Sequence, residues 1–129
     1  MPSVLVHMRK GRTAAQKRAV LDAIHESLVE SFKIPAADRF GRILEFEPED
    51  FDLPSGKTEA CLVIEMTVYP GRSLEAKRSL YAGLVRRLEA QGVLGSDVMI
   101  LLREPPLHNW GIRGGKPASE VDLGYAVDV

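Results

Sequence analysis

The sequence contains two copies of one pattern, and this internal repeat is the feature that most limits how the chain can fold. The tripeptide GRT at residues 11–13 recurs as GRS at 71–73, and the KR pair at 17–18 recurs at 77–78. In each copy an apolar run precedes the glycine, an amphipathic segment follows the tripeptide, and a second apolar run comes after that. A repeat of this length predicts two equivalent supersecondary units. Because 129 residues suit one domain, we expect a single domain (1–129) with pseudo-repeats over about 2–50 and 60–110 and a C-terminal extension over 111–129.

Both amphipathic segments have the apolar period of a helix. In the first, apolar residues recur at steps of three and four from Val20 to Phe32, which is the spacing of one helical face. Thr13 and Gln16 match a capping box, in which side chain and backbone satisfy each other at the start of a helix. Ser73 is the expected N-cap of the second helix.

The apolar runs that flank the helices are short and predict β-strands. The runs are Ser3–Met8, Ala60–Tyr69, Val98–Leu102, a weaker one at Arg42–Phe46, and Val121–Val127 as a short closing strand. Strand, helix and strand in this order form a β-α-β unit with parallel strands and a right-handed crossover. The expected fold is therefore α/β (α+β in some schemes): a duplicated β-α-β unit with a four-stranded sheet and two helices on one face.

This arrangement leaves the other face of the sheet without cover. A large apolar face exposed to water is unfavourable for a lone subunit. Several subunits with their sheets turned inward would cover it, so burial alone predicts an oligomer.

Composition and charge argue against several classes of protein. Seventeen basic and eighteen acidic residues give a net charge of −1, which disfavours non-specific binding to nucleic acid. Cys61 is the only cysteine, so an intramolecular disulfide and a cysteine-rich zinc site are excluded, and the three histidines lack the spacing of metal ligands. No apolar run approaches the ~20 residues that span a bilayer. The N-terminus lacks the pattern of a signal peptide, and we expect a cytoplasmic protein without a metal or a membrane partner.

Pro2 follows the initiator methionine, and small second residues, proline included, allow removal of that methionine. Removal would leave a secondary amine at the N-terminus. An ordinary α-amino group titrates near ~8, and burial beside arginines lowers its pKa, which suits a general base near neutral pH. The other interpretation is that Pro2 only begins a strand, where its missing N–H does no harm. Position alone favours this second interpretation.

Three further segments carry a resemblance to a known family: IPAADRF at 34–40, PGRSLEAK at 70–77 and NWG at 109–111. Together with Pro2 and the repeat, their order resembles that of the tautomerase superfamily, and within it the branch that contains malonate semialdehyde decarboxylase. The resemblance covers nearly the whole chain and reverses the balance in favour of a catalytic Pro2. It implies chemistry without a cofactor on a small carboxylate substrate, and a homotrimer.

The resemblance also implies roles for individual residues. Pro2 corresponds to the catalytic proline, Asp38 to an acidic residue that polarises a water or positions the amine, and Arg72 to an arginine that binds the substrate carboxylate. Trp110 corresponds to a tryptophan that helps to wall the pocket. Tyr69 ends a strand beside the Arg72 turn, where its phenol either faces the pocket or packs in the interior, and we place it with the substrate-binding residues.

One element of the decarboxylase branch is missing from this chain. The decarboxylase has a second arginine two residues before the first, and this chain has Pro70 there. Arg113 and Arg39 are the candidates to replace it, although a surface ion pair is the simpler interpretation of Arg39. Arg12, the counterpart of Arg72 in the first repeat, is expected to be a solvated surface residue.

The leading functional prediction is cofactor-independent tautomerisation of a small 2-oxo acid, with a neutral Pro2 as the base. An alternative enzyme activity is decarboxylation or hydration with a cationic Pro2, in which Asp38 helps to activate water. A third alternative is a binding protein of the same fold with a vestigial pocket.

Overall fold

A computed structural model describes residues 2–129. The main elements are β1 (Ser3–Arg9), α1 (Ala14–Phe32), β2 (Gly41–Phe46), β3 (Leu62–Thr67), α2 (Leu74–Glu89) and β4 (Val98–Arg103). The C-terminal extension adds two short strands, β5 (Gly111–Ile112) and β6 (Lys116–Pro117). Single 3₁₀ turns lie at Pro48–Asp50, Gly95–Asp97, Leu107–Asn109 and Ala118–Glu120. Neither of the described α-helices is long and apolar enough to cross a membrane.

The four long strands form one mixed sheet in the order β2-β1-β3-β4. β1 and β2 are parallel, as are β3 and β4, whereas the central strands β1 and β3 run antiparallel. Each half is thus a β-α-β unit, and the predicted duplicated fold is confirmed. In the central pair Ser3 lies opposite Thr67. The start of β1 is therefore beside the end of β3, and this register decides which turn comes close to Pro2.

Both helices begin at the N-caps that the sequence predicted. Thr13 Oγ1 accepts from the Gln16 amide at 3.1 Å, and the Gln16 side chain accepts from the Thr13 amide at 2.8 Å. Ser73 Oγ accepts from the Ala76 amide at 3.1 Å. These bonds satisfy amide donors that the first turn of a helix leaves without a partner.

The core lies between the sheet and both helices. Alternate residues of the two central strands point inward and are buried: Val4, Val6, Met8, Leu62, Ile64 and Met66. Both helices contribute buried residues to the same cluster, among them Leu28 and Phe32 of α1 and Leu80 and Leu84 of α2. Full burial of a side chain of this size contributes about 1.5–3 kcal/mol. The apolar stripes of the two helices thus hold them on one face of the sheet, as predicted.

The opposite face of the sheet exposes apolar side chains. Leu44, Met99 and Leu101 are 47%, 53% and 40% exposed. Near its centre, Glu65 lies 3.2 Å from His7 Nε2 and 3.2 Å from Arg103 Nη2. Exposed apolar groups on a sheet face are typical of a chain that associates, and the oligomer stays a prediction.

The predicted closing strand at Val121–Val127 is wrong. Gly124 has a φ of +80°, and its amide donates to Asp122 Oδ1 at 2.9 Å. Such a local side-chain turn interrupts extended backbone, so the segment is irregular. The extension forms its strands earlier, at β5 and β6, which are joined through residues 113–115, all with positive φ.

Candidate active site

Pro2 is the residue around which the predicted site assembles. It precedes β1 and is buried. It lines an open cleft together with Asp38. It also lines a narrow cavity together with Tyr69 and Arg72. The fold therefore brings Asp38, Tyr69 and Arg72 around Pro2, although they are far apart in sequence.

The open cleft lies between α1 and the loop that follows it, and its lining includes Arg18, His25, Asp38, Arg39 and Phe40. Arg39 Nη2 lies 2.6 Å from Asp22 Oδ1, which confirms the predicted surface ion pair, and Arg18 lies 4.0 Å from the same oxygen. His25 Nε2 is 2.9 Å from the Ala36 carbonyl and ties α1 to the loop that carries Asp38. Two guanidinium groups thus share one carboxylate at the edge of the cleft, which suits an anionic substrate.

Arg72 is buried, with 6% of its surface exposed. Its Nη1 donates to the Tyr69 carbonyl at 3.0 Å and its Nη2 to the Phe32 carbonyl at 3.4 Å. The guanidinium carbon lies 4.9 Å from the centre of the Phe32 ring and 6.0 Å from that of Tyr125. Among the described residues, Nε has no hydrogen-bond partner. The side chain is therefore not a surface cation, and one buried donor is left for another group.

Tyr69 connects Trp110 to the site. The two rings meet edge to face, with centroids 4.7 Å apart and an interplanar angle of 68°. Trp110 Nε1 donates to the Pro105 carbonyl at 3.2 Å. Burial raises the pKa of the Tyr69 phenol, and the charges of Tyr125 and Asp38 raise it further. Trp110 thus supports the wall from behind Tyr69, since the described linings of the two Pro2 cavities do not include it.

Tyr125 lies at the candidate site, although the sequence did not reveal it. It lines the narrow cavity with Pro2, and a third cavity with Asp38 and Arg113. Burial raises the pKa of its phenol, whereas hydrogen bonding and charge from Arg72 act in the opposite direction. Tyr125 lies in the segment that was predicted to be a closing strand, and no local motif in this segment indicated a residue of the site.

The two arginines considered as replacements for the missing one lie in different places. Arg39 borders the open cleft with Pro2. Arg113 borders the third cavity and donates to the Asp122 carbonyl at 2.7 Å. Of the two, only Arg39 shares a cavity wall with Pro2 among the described residues.

Arg12 lies at the other end of the sheet, and the expectation that it is a solvated surface residue is wrong. It is half-buried, and its Nη2 donates to the Ala60 carbonyl at 2.7 Å. Burial lowers the pKa of its guanidinium, while the charges of Asp97 and Cys61 act to raise it. The reason is topological: the start of the second unit packs beside Arg12, as the start of the first packs beside Arg72.

Two family models match this chain. One, described as a tautomerase enzyme, matches residues 38–113, more than half of the chain. A second tautomerase-enzyme model matches residues 2–54. The chain belongs to the tautomerase family. The resemblance seen in the sequence is therefore confirmed at the level of the family.

Curated relatives of this tautomerase-family chain agree with that assignment. The probable tautomerase YusQ of Bacillus subtilis (strain 168) is 29% identical over 122 residues, which are 90% of this chain and 96% of the relative. The probable tautomerase YrdN of the same strain is 28% identical over 123 residues, with 90% and 94% covered. Both matches extend over nearly the whole of each chain.

Solved structures with the same fold include two malonate semialdehyde decarboxylases. One is 29% identical, with a TM-score of 0.82 over 89% of this chain and 93% of its own. The other, inhibited by 3-bromopropiolate, is 31% identical, with a TM-score of 0.81 over 89% and 92%. A fused 4-OT, a symmetric trimer, is 29% identical, with a TM-score of 0.79 over 90% and 95%. The predicted tautomerase-like α+β architecture is thus confirmed.

Proposed function

We propose that this protein catalyses keto–enol tautomerisation of a small 2-oxo acid, with Pro2 as the general base. Removal of Met1, which lies outside the described residues, gives Pro2 a free secondary amine. The observation that carries the proposal is the place of Pro2, buried between a cleft lined by Asp38 and a cavity lined by Arg72. An amine, a carboxylate and a guanidinium group then stand around one small site.

The base has to be a neutral amine, and the surroundings of Pro2 favour that form. Burial penalises the ammonium ion, and the positive charge of Arg72 does the same. Arg18 and Arg39 add positive charge at the cleft, which Asp22 offsets in part. Pro2 accepts a proton from the carbon next to the carbonyl group and returns it to another position of the substrate.

Arg72 is the proposed anchor for the substrate carboxylate. A guanidinium group binds a carboxylate through charge-assisted and often paired hydrogen bonds. The buried Nε without a partner supports this role. Arg39, on the wall of the open cleft, is the proposed second cation in place of the arginine that Pro70 replaces. Tyr69, with Trp110 packed behind it, forms the apolar part of the wall.

A second candidate is a decarboxylase or hydratase resembling malonate semialdehyde decarboxylase. Its support comes from the two decarboxylase structures at 29% and 31% identity and from Asp38 in the cleft. In that reaction a cationic Pro2 polarises the carbonyl group while Asp38 helps to activate water. The two curated relatives, both probable tautomerases, favour the first candidate.

The third candidate, a binding protein with a vestigial pocket, differs from both enzymes at the N-terminus. If Met1 is retained, the nitrogen of Pro2 is an amide and accepts no proton. Intact-mass measurement of the purified protein is expected to show loss of methionine. A mass that includes Met1 would favour the binding protein.

We further propose that the protein is a homotrimer. A fused 4-OT of the same fold is a symmetric trimer, and the open sheet face of this chain exposes Leu44, Met99 and Leu101. Light scattering at micromolar concentration should give three times the subunit mass of 14.2 kDa. A monomer under those conditions would contradict the proposal.

A screen of 2-oxo acids tests the proposed reaction. The enol forms of aromatic and unsaturated 2-oxo acids absorb in the ultraviolet, so their ketonisation is followed directly. We expect turnover of at least one member by the unsubstituted enzyme and a large reduction in Pro2→Ala, in which a primary amine replaces the ring amine. Release of carbon dioxide from a 3-oxo acid, without enol turnover, would favour the decarboxylase candidate instead.

A further inference from the structure

Arg72 is closed off in this structure. Its side chain is 6% exposed, and the narrow cavity between it and Pro2 leaves no room for a water molecule. A carboxylate group is larger than a water molecule. If Arg72 binds the carboxylate of a substrate, part of the wall around it has to move first.

The wall includes the C-terminal segment Val121–Val129, which we call the strap. The ring centre of Tyr125, on the strap, lies 6.0 Å from the guanidinium carbon of Arg72. Tyr125 also lines both the narrow cavity next to Pro2 and the outer cavity next to Asp38. One side chain therefore borders both the cavity at the buried cation and the outer cavity at Asp38.

The glycine before Arg72 shows that the strap is seated closely on the turn. A Cβ at Gly71 would lie 3.1 Å from the Val127 carbonyl oxygen and 3.5 Å from the Asp128 Cα. At Gly11, its counterpart in the first repeat, a Cβ would meet nothing within 4 Å. Both glycines have positive φ, so the turn alone favours glycine at each. Close contact with a covering segment is found at Gly71 and not at Gly11.

Several polar contacts hold the strap. Ser73 Oγ donates to the Val129 carbonyl at 2.8 Å, and the Ser73 amide donates to the same oxygen at 3.5 Å. Arg113 Nη1 donates to the Asp122 carbonyl at 2.7 Å, and a hydrogen bond joins Arg72 to Tyr125. The strap contains no helix or strand, and none of its residues is fully buried. A segment without a ladder of backbone hydrogen bonds opens at lower cost than the core strands.

We propose that the strap is a gate over Arg72 and that Tyr125 closes it, so that a substrate carboxylate reaches the guanidinium group only when Tyr125 moves away. The inference rests on the proposed role of Arg72 as the carboxylate anchor. Tyr125 is a positioning residue, because it acts through Arg72. The apparent affinity for a carboxylate is then reduced by the fraction of molecules in which the gate is open.

Chemical modification of arginine tests the gate without any substrate. 2,3-Butanedione reacts with accessible guanidinium groups, and peptide mapping by mass spectrometry separates Arg72 from Arg12. In the unsubstituted protein Arg72 should react at least about tenfold more slowly than the half-buried Arg12. Tyr125→Ala should speed modification of Arg72 about tenfold and leave Arg12 unchanged. Tyr125→Phe keeps the ring and loses only the phenol oxygen, so its effect should be smaller.

Tyr81→Ala is the matched control, because Tyr81 is a half-buried tyrosine on α2 that packs against the same core. Its loss should not speed modification of Arg72. Equal rates for Arg72 and Arg12 in the unsubstituted protein would overturn the gate. So would an unchanged Arg72 rate in both Tyr125 variants. If Tyr125→Ala unfolds, Arg12 reacts faster too, and Tyr125→Phe carries the test. Since the assay needs no turnover, a missing gate and a missing tautomerase activity are separate results.

Discussion

The two Gly-Arg turns of this chain have the same backbone. Gly11 and Gly71 have φ angles of 135° and 124°. The N-caps that follow, Thr13 and Ser73, have φ of −70° in both cases and ψ of 165° and 163°. The local sequence therefore forms the same structure twice, a glycine turn followed by a helix N-cap.

Their surroundings differ because the central strands are antiparallel. The turn after β1 lies beside the start of the second unit, where Arg12 donates to the Ala60 carbonyl. The turn after β3 lies beside the start of β1, where Arg72 and Pro2 line one cavity. Ala60 is an internal residue without an amine. The comparison shows that the surroundings of an arginine in this motif are set by the start of the neighbouring strand and not by the motif itself.

The largest expected effect is on kcat, where substitution of Pro2 is compared with substitution of Ala60. Pro2→Ala should lower kcat by up to about 10²- to 10⁴-fold, the contribution of a positioned general base, because the primary amine of alanine lacks the ring that holds the proline nitrogen in place. Ala60→Gly should leave kcat nearly unchanged. Steady-state kinetics on the best 2-oxo acid from the screen measures both. Similar losses in the two variants would break the comparison.

The next largest expected effect is on kcat/KM, where substitution of Arg72 is compared with substitution of Arg12. Arg72→Ala should lower kcat/KM about ten- to a hundredfold, because loss of a charge-assisted contact costs about 1.5–3 kcal/mol. Arg12→Ala should leave kcat/KM close to that of the unsubstituted enzyme, and circular dichroism should show both variants folded. If the losses are equal, or if Arg72→Ala has none, Arg72 is not the carboxylate anchor.

A smaller effect, on the stability of the fold, tests whether the end of the sheet that carries Arg12 stabilises the protein and takes no part in catalysis. The buried Asp97 accepts hydrogen bonds from the hydroxyl and amide of Thr58. Those bonds, with smaller help from the charges of Lys57 and Arg12 and against the effect of burial, hold the pKa of Asp97 below its usual value. Because the pKa in the folded state is lower than in the unfolded state, this stabilisation is present at neutral pH. It is lost as the pH falls through the folded-state pKa.

Asp97→Asn should therefore lower Tm at neutral pH, since hydrogen bonds to a charged group are worth about 1.5–3 kcal/mol. The difference in Tm from the unsubstituted protein should narrow as the pH is lowered below about 4. The activity of the folded variant should be unchanged. Thermal melts over a pH series measure the first two effects. A difference that stays constant down to acidic pH would contradict the assignment.

The smallest expected effects come from removing the two N-caps, which should differ in the rate at which butanedione modifies Arg72. Thr13→Ala and Ser73→Ala should each cost about 1 kcal/mol of stability through loss of the cap. Ser73 also donates to the Val129 carbonyl, so only its loss should loosen the strap and speed modification of Arg72 by butanedione. Equal Arg72 rates in the two variants would show that the Ser73 bond does not hold the strap.

Most of the fold could be predicted because the sequence patterns that indicate its helices and strands are local. The period of three and four in the helices, the Thr13 and Ser73 caps and the apolar strand runs all lie within short windows. The repeat then indicated two β-α-β units. Even the weak run at Arg42–Phe46 became β2 with only one residue added.

What escaped prediction depends on contacts between distant segments. Tyr125 meets Arg72 across more than fifty residues, and no local pattern encodes that contact. Burial of Arg12 follows from the register of the central strands, which the apolar runs do not specify. The prediction of a closing strand was wrong because a turn, in which the Gly124 amide donates to the Asp122 side chain, interrupts the extended backbone. Asp38 and Trp110, by contrast, became candidates through the family resemblance alone; the structure places Asp38 in the cleft with Pro2 and Trp110 against Tyr69.

We propose above all that Pro2 carries a free amine whose pKa is lowered by burial and by Arg72. Nitrogen NMR titration of protein labelled with ¹⁵N-proline measures this directly. We expect one titrating proline nitrogen, with a pKa below the ~8 of an ordinary α-amino group. Arg72→Ala should move that pKa upward, and Arg12→Ala should not. A pKa above the ordinary value, or the absence of any titrating proline nitrogen, would contradict the claim.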